Sequence, residues 1–305
     1  MDTPYEVIII GAGPAGLTAA LYTSRAKLRT LILEKESLGG ELMNRDVIDN
    51  YPGYPDGILG PELGSNMVRQ AKNYGAEIKL GEVEKIESQQ NYKVVTTTSG
   101  NYLGKTVIIA GGASPEKLGV PGEQEFADRG VIYCATCDGY RFTDKVVAVA
   151  GGGDSGITEA LFLARVASKV IIIERMPNCT ANRTLMEKAL SNTKFEIKCG
   201  VKIEAIRGSE QVEALELCNV PTGQKEVLEV DGILVHVGIK PNTDYLEDSI
   251  PLNDKGQIIV NENMETAIAG IFAVGDIRHN SPGQISTAVG DGATAALSLQ
   301  RQLTK

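Results

Sequence analysis

Cys134 and Cys137 stand two residues apart in the stretch Cys134-Ala135-Thr136-Cys137-Asp138-Gly139. That gap lets both sulfurs meet in a small disulfide ring, and such pairs often carry an unusually reactive thiol. The competing chemistry is half of a zinc site, but structural zinc takes four N/S ligands. Cys179, Cys199 and Cys218 are isolated along the chain, and His236 and His279 show no ligand spacing. The pair therefore reads as a redox disulfide, no metal site is expected, and the three single cysteines read as core or surface thiols without a role. Asp138 follows the pair directly. An Asp before Gly is commonly a turn residue, so the residue type alone leaves an acid–base role open.

A redox pair needs an electron source, and the elements around it supply one. Val7-Ile8-Ile9-Ile10 leads into Gly11-Ala12-Gly13-Pro14-Ala15-Gly16, then a helical stretch, then Thr30 to Leu33 and Glu34. Val146 to Val149 likewise leads into Gly151-Gly152-Gly153-Asp154-Ser155-Gly156, a helical stretch, Val170 to Ile173 and Glu174. Each acid lies 23 residues after its first glycine. In such a unit the first glycine permits the tight turn, the second lets backbone approach a pyrophosphate, and the third lets helix and strand pack closely. The helix N-terminus then offers free N–H groups to the phosphates. One such turn could be mere loop chemistry; two with the same acid spacing point to two dinucleotide folds.

The 305 residues suit two domains of ~100–200 residues each. Hydrophobic residues at 42% and charged residues at 23% are ordinary for a globular chain, whereas 34 glycines exceed the usual ~7%. A net charge of −9 argues against nucleic acid or an anionic membrane as partner. The start, Met1 to Glu6, has no basic region of a secretory signal. The uncharged run Val7 to Ser24 is interrupted by Gly11, Gly13, Pro14 and Gly16, so no membrane span is expected. Five cysteines without a signal suit a reducing, cytoplasmic compartment. Lys93 to Thr96 and Thr106 to Ile109 read as strands closing the first module, which ends in Ala110-Gly111-Gly112-Ala113. Ser114 to Gly122 and Val235 to Asn242 read as linkers. The expected fold class is α/β, with two three-layer Rossmann-like domains: residues 1–114 with 243–305, and 115–242 inserted between them.

Beyond these units, the chain carries Gly39-Gly40, Asn50-Tyr51-Pro52-Gly53, Gly270-Ile271-Phe272-Ala273-Val274-Gly275-Asp276, and Gln284 followed by Ala288 to Gly292. With both glycine fingerprints and the Cys134–Cys137 pair, the chain resembles the low-molecular-weight thioredoxin reductases over nearly its full length. The resemblance implies an FAD-dependent thioredoxin-disulfide reductase, active as a homodimer. FAD would lie on the outer module against Gly11, Gly13, Pro14, Ala15, Gly16, Gly39, Gly40, Glu41, Leu42 and Gly112. Glu34 would bind the adenosine ribose, Asn50 would lie near the isoalloxazine, and Gly275 and Asp276 would hold the ribityl chain. Gln284 and Ile285 would open a helix whose positive end faces the flavin. Cys137 would face the flavin, Cys134 would attack thioredoxin, and Asp138 would protonate the departing thiolate. The inserted module would rotate about linkers near Ser114-Pro115 and Gly238 to Asn242.

One stretch departs from that family. NADPH-using relatives carry His-Arg-Arg-x-x-x-Arg after the second strand of the inserted module, and here the aligned residues run from Glu174 to Thr180. Arg175 remains, Met176 and Thr180 replace cations, and Glu174 puts a carboxylate where a 2′-phosphate would rest. Two lost charge-assisted bonds at ~1.5–3 kcal/mol each weaken binding by about 10²–10⁴. NADPH is therefore disfavoured, unless Arg183 compensates from the next turn. Thr158 also replaces the first acid of the family's Ser-Ala-x-Glu-Glu sequence. Two donors stay open. Gly151, Gly153, Asp154, Ser155, Gly156, Glu174 and Arg175 could hold NADH, whose 2′-hydroxyl suits an acid. Alternatively this pocket is vestigial and electrons come from ferredoxin or a deazaflavin, since Met176-Pro177 and Gly156 resemble archaeal-type and clostridial-type members. A flavin-dependent dithiol oxidase and a zinc- or flavin-loaded redox sensor are the competing functions.

Overall fold

Successive side chains of a strand point to opposite faces, and in Tyr5–Ile10 both faces are apolar, so this strand must be covered on both sides. The computed structural model, which describes residues 3–45, 47–89 and 91–303, shows how. Met1 and Asp2 of the amino-terminal stretch lie outside those residues. The chain divides into two compact units, one of residues up to Ser114 together with those from Lys240 onward, the other of Pro115–Ile239.

In the first unit, parallel strands run Glu77–Leu80, Thr30–Glu34, Tyr5–Ile10 and Gly100–Ile109 across the sheet. The last of these divides its partners. Its carboxyl half pairs in parallel with Ile271–Ala273, and its amino half pairs antiparallel with Tyr92–Thr97, which in turn pairs with Val83–Gln89. Val7, Ile9, Ile32 and Ile108 pack against Leu17, Ala20, Ala71, Ala295 and Leu299 of the helices Pro14–Arg25, Gly60–Asn73 and Ile285–Leu303. Ile8, Ile10, Leu33 and Ile109 face the other way, onto Val83, Ile86, Val95, Leu246 and Ile258.

The second unit repeats the plan with a different cover. Its parallel sheet runs Val131–Ile132, Gly232–Val235, Val146–Ala150, Lys169–Glu174 and Phe195–Cys199. Helices Asp154–Leu163 and Arg183–Leu190 lie on the face of Val147, Val149, Val170 and Ile172. A three-stranded antiparallel sheet, Val201–Gly208, Val212–Asn219 and Lys225–Glu229, covers Ala148, Ile171, Ile173 and Ile233. The two crossover segments, Ala113–Pro115 and Ile239–Pro241, form a two-stranded ribbon. Among the described residues no helix is long and apolar enough to cross a membrane.

Candidate active site

The Cys134–Cys137 bond closes across the single helical turn Ala135–Asp138, with Cα atoms 5.4 Å apart. Cys134 stands at the N-cap, and its Sγ accepts the Cys137 N–H at 3.2 Å. That amide is a donor which a thiolate uses better than a thiol. The turn is fixed from below by Glu159, a carboxylate only 5% exposed, whose Oε2 accepts the Ala135 N–H at 2.7 Å. Asp138 pairs with Arg141 at 3.2 Å. The neighbouring acid position, Thr158, is turned away: its hydroxyl donates to the Asp154 carbonyl in its own helix.

In the first unit the glycine loop is held by the acid 23 residues on. Glu34 accepts the Ala12 N–H at 2.7 Å through Oε2 and the Glu36 N–H at 2.9 Å through Oε1. Each carboxylate oxygen keeps a further lone pair for a ribose hydroxyl. A Cβ on Gly16 would lie 2.0 Å from the Gly11 carbonyl oxygen, so only glycine allows this helix start to sit on its strand. A Cβ on Gly13 would meet nothing within 4 Å, so this side of the turn is open. The Gly39 N–H donates to the Ala12 carbonyl at 2.9 Å, and Gly40 comes down over Gly13. Leu42 is buried with Ile48, Ile58 and Leu63, and Ile285 packs against that cluster. Glu41 is the second residue of the 3-10 turn Gly40–Asn44 and is exposed. Asn50 Nδ2 donates to Gln284 Oε1 at 3.1 Å, and Ser281 Oγ donates to Asp276 at 2.9 Å. Gly112 adopts the left-handed region at φ +64°.

The second glycine loop copies the first closely. Glu174 accepts the Gly152 and Met176 N–H groups, both at 2.7 Å. A Cβ on Gly156 would lie 2.2 Å from the Gly151 carbonyl oxygen. The Thr180 N–H donates to the Gly152 carbonyl at 2.9 Å, as Gly39 does to Ala12. Asp154 accepts the Asn182 N–H at 2.6 Å, so its charge is committed to the following loop. Two features differ. Cys179 Sγ packs where a Gly152 side chain would stand, and the Thr180 hydroxyl lies 3.7 Å from the place of a Gly153 Cβ. Arg183, the cation of the next turn, has a side chain 92% exposed and pairs with Glu187 at 2.7 Å. Arg175 is exposed at the strand end.

Three groups have no role in the reading of the sequence, although Glu159 and Asp291 lie inside stretches that it singled out. Glu159 is the first; an acid on a helix face otherwise made of Ile157, Ala160 and Leu163 is its signal. Glu123, 4% exposed, accepts from the Leu118 and Gly119 amides and from the Tyr133 hydroxyl, whose pKa burial and that carboxylate push up. Asp291 accepts two guanidinium bonds from Arg278, at 2.6 and 2.8 Å, and the Gly275 N–H at 3.0 Å. This buried pair fixes the backbone that carries Asp276. The single cysteines are also not all single: Cys179 and Cys199 sulfurs stand 3.8 Å apart, while Cys218 is buried alone in the antiparallel sheet. Among the described residues no cluster suits a metal ion.

The family model for pyridine nucleotide-disulphide oxidoreductases matches residues 5–292. A curated thioredoxin reductase of Bacillus subtilis is 44% identical over 297 residues, 97% of this chain and 94% of the relative. A crystal structure of Lactococcus lactis thioredoxin reductase superposes with a TM-score of 0.96 at 40% identity, covering 98% of this chain and 99% of the other. That of T. acidophilum thioredoxin reductase gives 0.95 at 34% identity, with both chains fully covered.

Proposed function

The chain belongs to the pyridine nucleotide-disulphide oxidoreductase family, and on that premise we infer that it is a thioredoxin-disulfide reductase whose exchanging pair is Cys134–Cys137. The observation that carries this reading is the disulfide itself, closed across one helical turn and seated on the buried Glu159 carboxylate in a dinucleotide fold. When bound, FAD supplies a two-electron relay between a nicotinamide and a disulfide. The residues of the first unit fit it: an open face at Gly13, an acceptor suited to a ribose at Glu34, and polar groups at Asn50, Asp276 and Gln284.

We assign the steps on the protein's own sulfurs as follows. Reduced Cys134 attacks one sulfur of the thioredoxin disulfide, forming a mixed disulfide, and the displaced thioredoxin thiolate takes a proton from Asp138. Cys137 then attacks Cys134 and its proton goes to the second thioredoxin sulfur, which releases dithiol thioredoxin and restores the Cys134–Cys137 bond.

The donor we propose is NADH. Glu174 in the second loop repeats the hydrogen bonds of Glu34 in the first, and its charge repels a 2′-phosphate where a 2′-hydroxyl can donate. Met176 and Thr180 supply no cation, and Arg183 is engaged with Glu187. A cytoplasmic homodimer is part of the same proposal, resting on the family. Anaerobic titration of the yellow protein with NADH, NADPH and reduced ferredoxin, followed at the flavin absorbance, tests the donor. Stoichiometric bleaching by NADH at concentrations at least ~10²-fold below those of NADPH is expected. Equal bleaching by NADPH overturns the reading of Glu174 to Thr180, and bleaching by ferredoxin alone overturns a nicotinamide donor.

A further inference from the structure

Cys179 sits in the loop that follows Lys169–Glu174, and Cys199 ends the neighbouring strand Phe195–Cys199. Parallel register places Cys199 opposite Glu174, and the Gly200 N–H donates to the Met176 carbonyl at 2.8 Å. The loop thus folds back over the strand end, bringing the two sulfurs to 3.8 Å, with both cysteines half-buried rather than sealed. A disulfide needs about 2.05 Å between sulfurs, which leaves a closure of under ~2 Å. The same loop holds the second glycine cradle: Cys179 Sγ lies against Gly152, and Thr180 and Ala181 donate to the Gly152 carbonyl.

We propose that Cys179 and Cys199 are a second disulfide-forming pair, oxidised by small-molecule disulfides, whose closure tethers the loop from Arg175 to Asn182 to the end of the adjoining strand. Cys199 attacks the small disulfide and one thiol leaves; Cys179 then attacks the Cys199 mixed disulfide, and its proton goes to the second departing thiol. Two protein thiols are oxidised and one small disulfide is reduced to two thiols. Cys179 is the resolving partner because burial, the Cys199 hydrogen bond and the Glu174 charge push its thiol up to about 12. Since the tethered loop carries the groups around Gly152, closure also changes dinucleotide affinity; this consequence rests on the NADH reading above.

The test uses the FAD-loaded protein, treated with oxidised glutathione and compared with identically treated Cys199→Ser and Cys179→Ser. Thiols are counted after denaturation, cross-linked peptides are mapped by mass spectrometry, and tryptic cleavage after Arg175 is timed. The wild type should fall from three free thiols to one, show a 179–199 cross-link, and be cleaved at Arg175 at least threefold more slowly; both variants should lack the cross-link and the slower cleavage, and Cys179→Ser should keep a glutathione adduct on Cys199. In the wild type, stable glutathione adducts on Cys199 without a cross-link overturn the pair, and a cross-link without slower cleavage overturns the tether. NAD⁺ affinity should differ at least threefold between treated wild type and treated Cys199→Ser. Absence of NAD⁺ binding in every form, with cross-link and protection present, supports the pair and sinks the NADH reading instead.

Discussion

Cys134 and Cys137 differ in what their loss should cost. Substituting Cys134→Ser should leave FAD content unchanged and abolish thioredoxin turnover, because Cys137, the one sulfur left on that helical turn, cannot both attack thioredoxin and resolve the mixed disulfide. Turnover at the wild-type rate would show that the roles are misassigned. Glu159 acts one residue away through the Ala135 amide. Its removal leaves a buried N–H without its acceptor, and a hydrogen bond to a charged group contributes about 1.5–3 kcal/mol. Glu159→Ala should therefore destabilise the protein by about that amount and slow disulfide exchange with FAD retained, whereas Glu159→Gln, which keeps an acceptor oxygen, should recover most of both. Denaturant midpoints and turnover measured on the two variants decide the point; equal losses in Ala and Gln would mean that charge, not the amide bond, is what matters. The pair was legible in the sequence because a two-residue gap is local. Glu159 and Ala135 lie 24 residues apart and meet only because the helix Asp154–Leu163 packs beneath the turn.

At the scale of elements, the two strand–loop–helix units were the most legible part of the chain, since glycine spacing and apolar β-branched runs are local signals. The antiparallel sheet from Val201 to Glu229 is not legible in the sequence, and neither is the approach of Cys179 to Cys199. Both depend on register between segments distant in sequence, which no local pattern states. The loop after Glu174 makes an element-scale prediction of its own. Thr180 is anchored by its N–H to Gly152, with its hydroxyl 3.7 Å from the place of a Gly153 Cβ, so a longer side chain there reaches the cradle. The double variant Met176→Arg, Thr180→Arg restores two cations, at ~1.5–3 kcal/mol per charge-assisted bond. The ratio of NADPH to NADH efficiency should rise by at least about 10²-fold. Steady-state kinetics with both dinucleotides measure it, and an unchanged ratio would show that this loop does not face the adenosine end of the donor.

For the whole molecule, the informative fact is that each unit is built on its own buried clusters and that the insertion leaves the first unit where the chain returns to it. Ser114 Oγ donates to Asn242 Oδ1 at 2.7 Å, the Asn242 N–H donates to the Gly112 carbonyl at 3.1 Å, and Asn242 Nδ2 donates to the Gly111 carbonyl at 2.8 Å. The two ends of the excised segment would therefore already be held together by bonds internal to the first unit. Loop-closure cost grows only by ~0.6 kcal/mol per doubling of length, so a short Gly-Ser bridge in place of Pro115–Ile239 removes little that the first unit needs. The bridged chain should bind FAD at one per chain, unfold cooperatively, and reduce no disulfide. Pro115–Ile239 alone should fold around its own sheet, keep the Cys134–Cys137 bond and stay colourless. Absorbance spectra and thermal unfolding of the two pieces check this directly. A bridged chain that is recovered without flavin and melts without a transition would mean that the FAD groove depends on the inserted unit, and that the chain is one cooperative body rather than two.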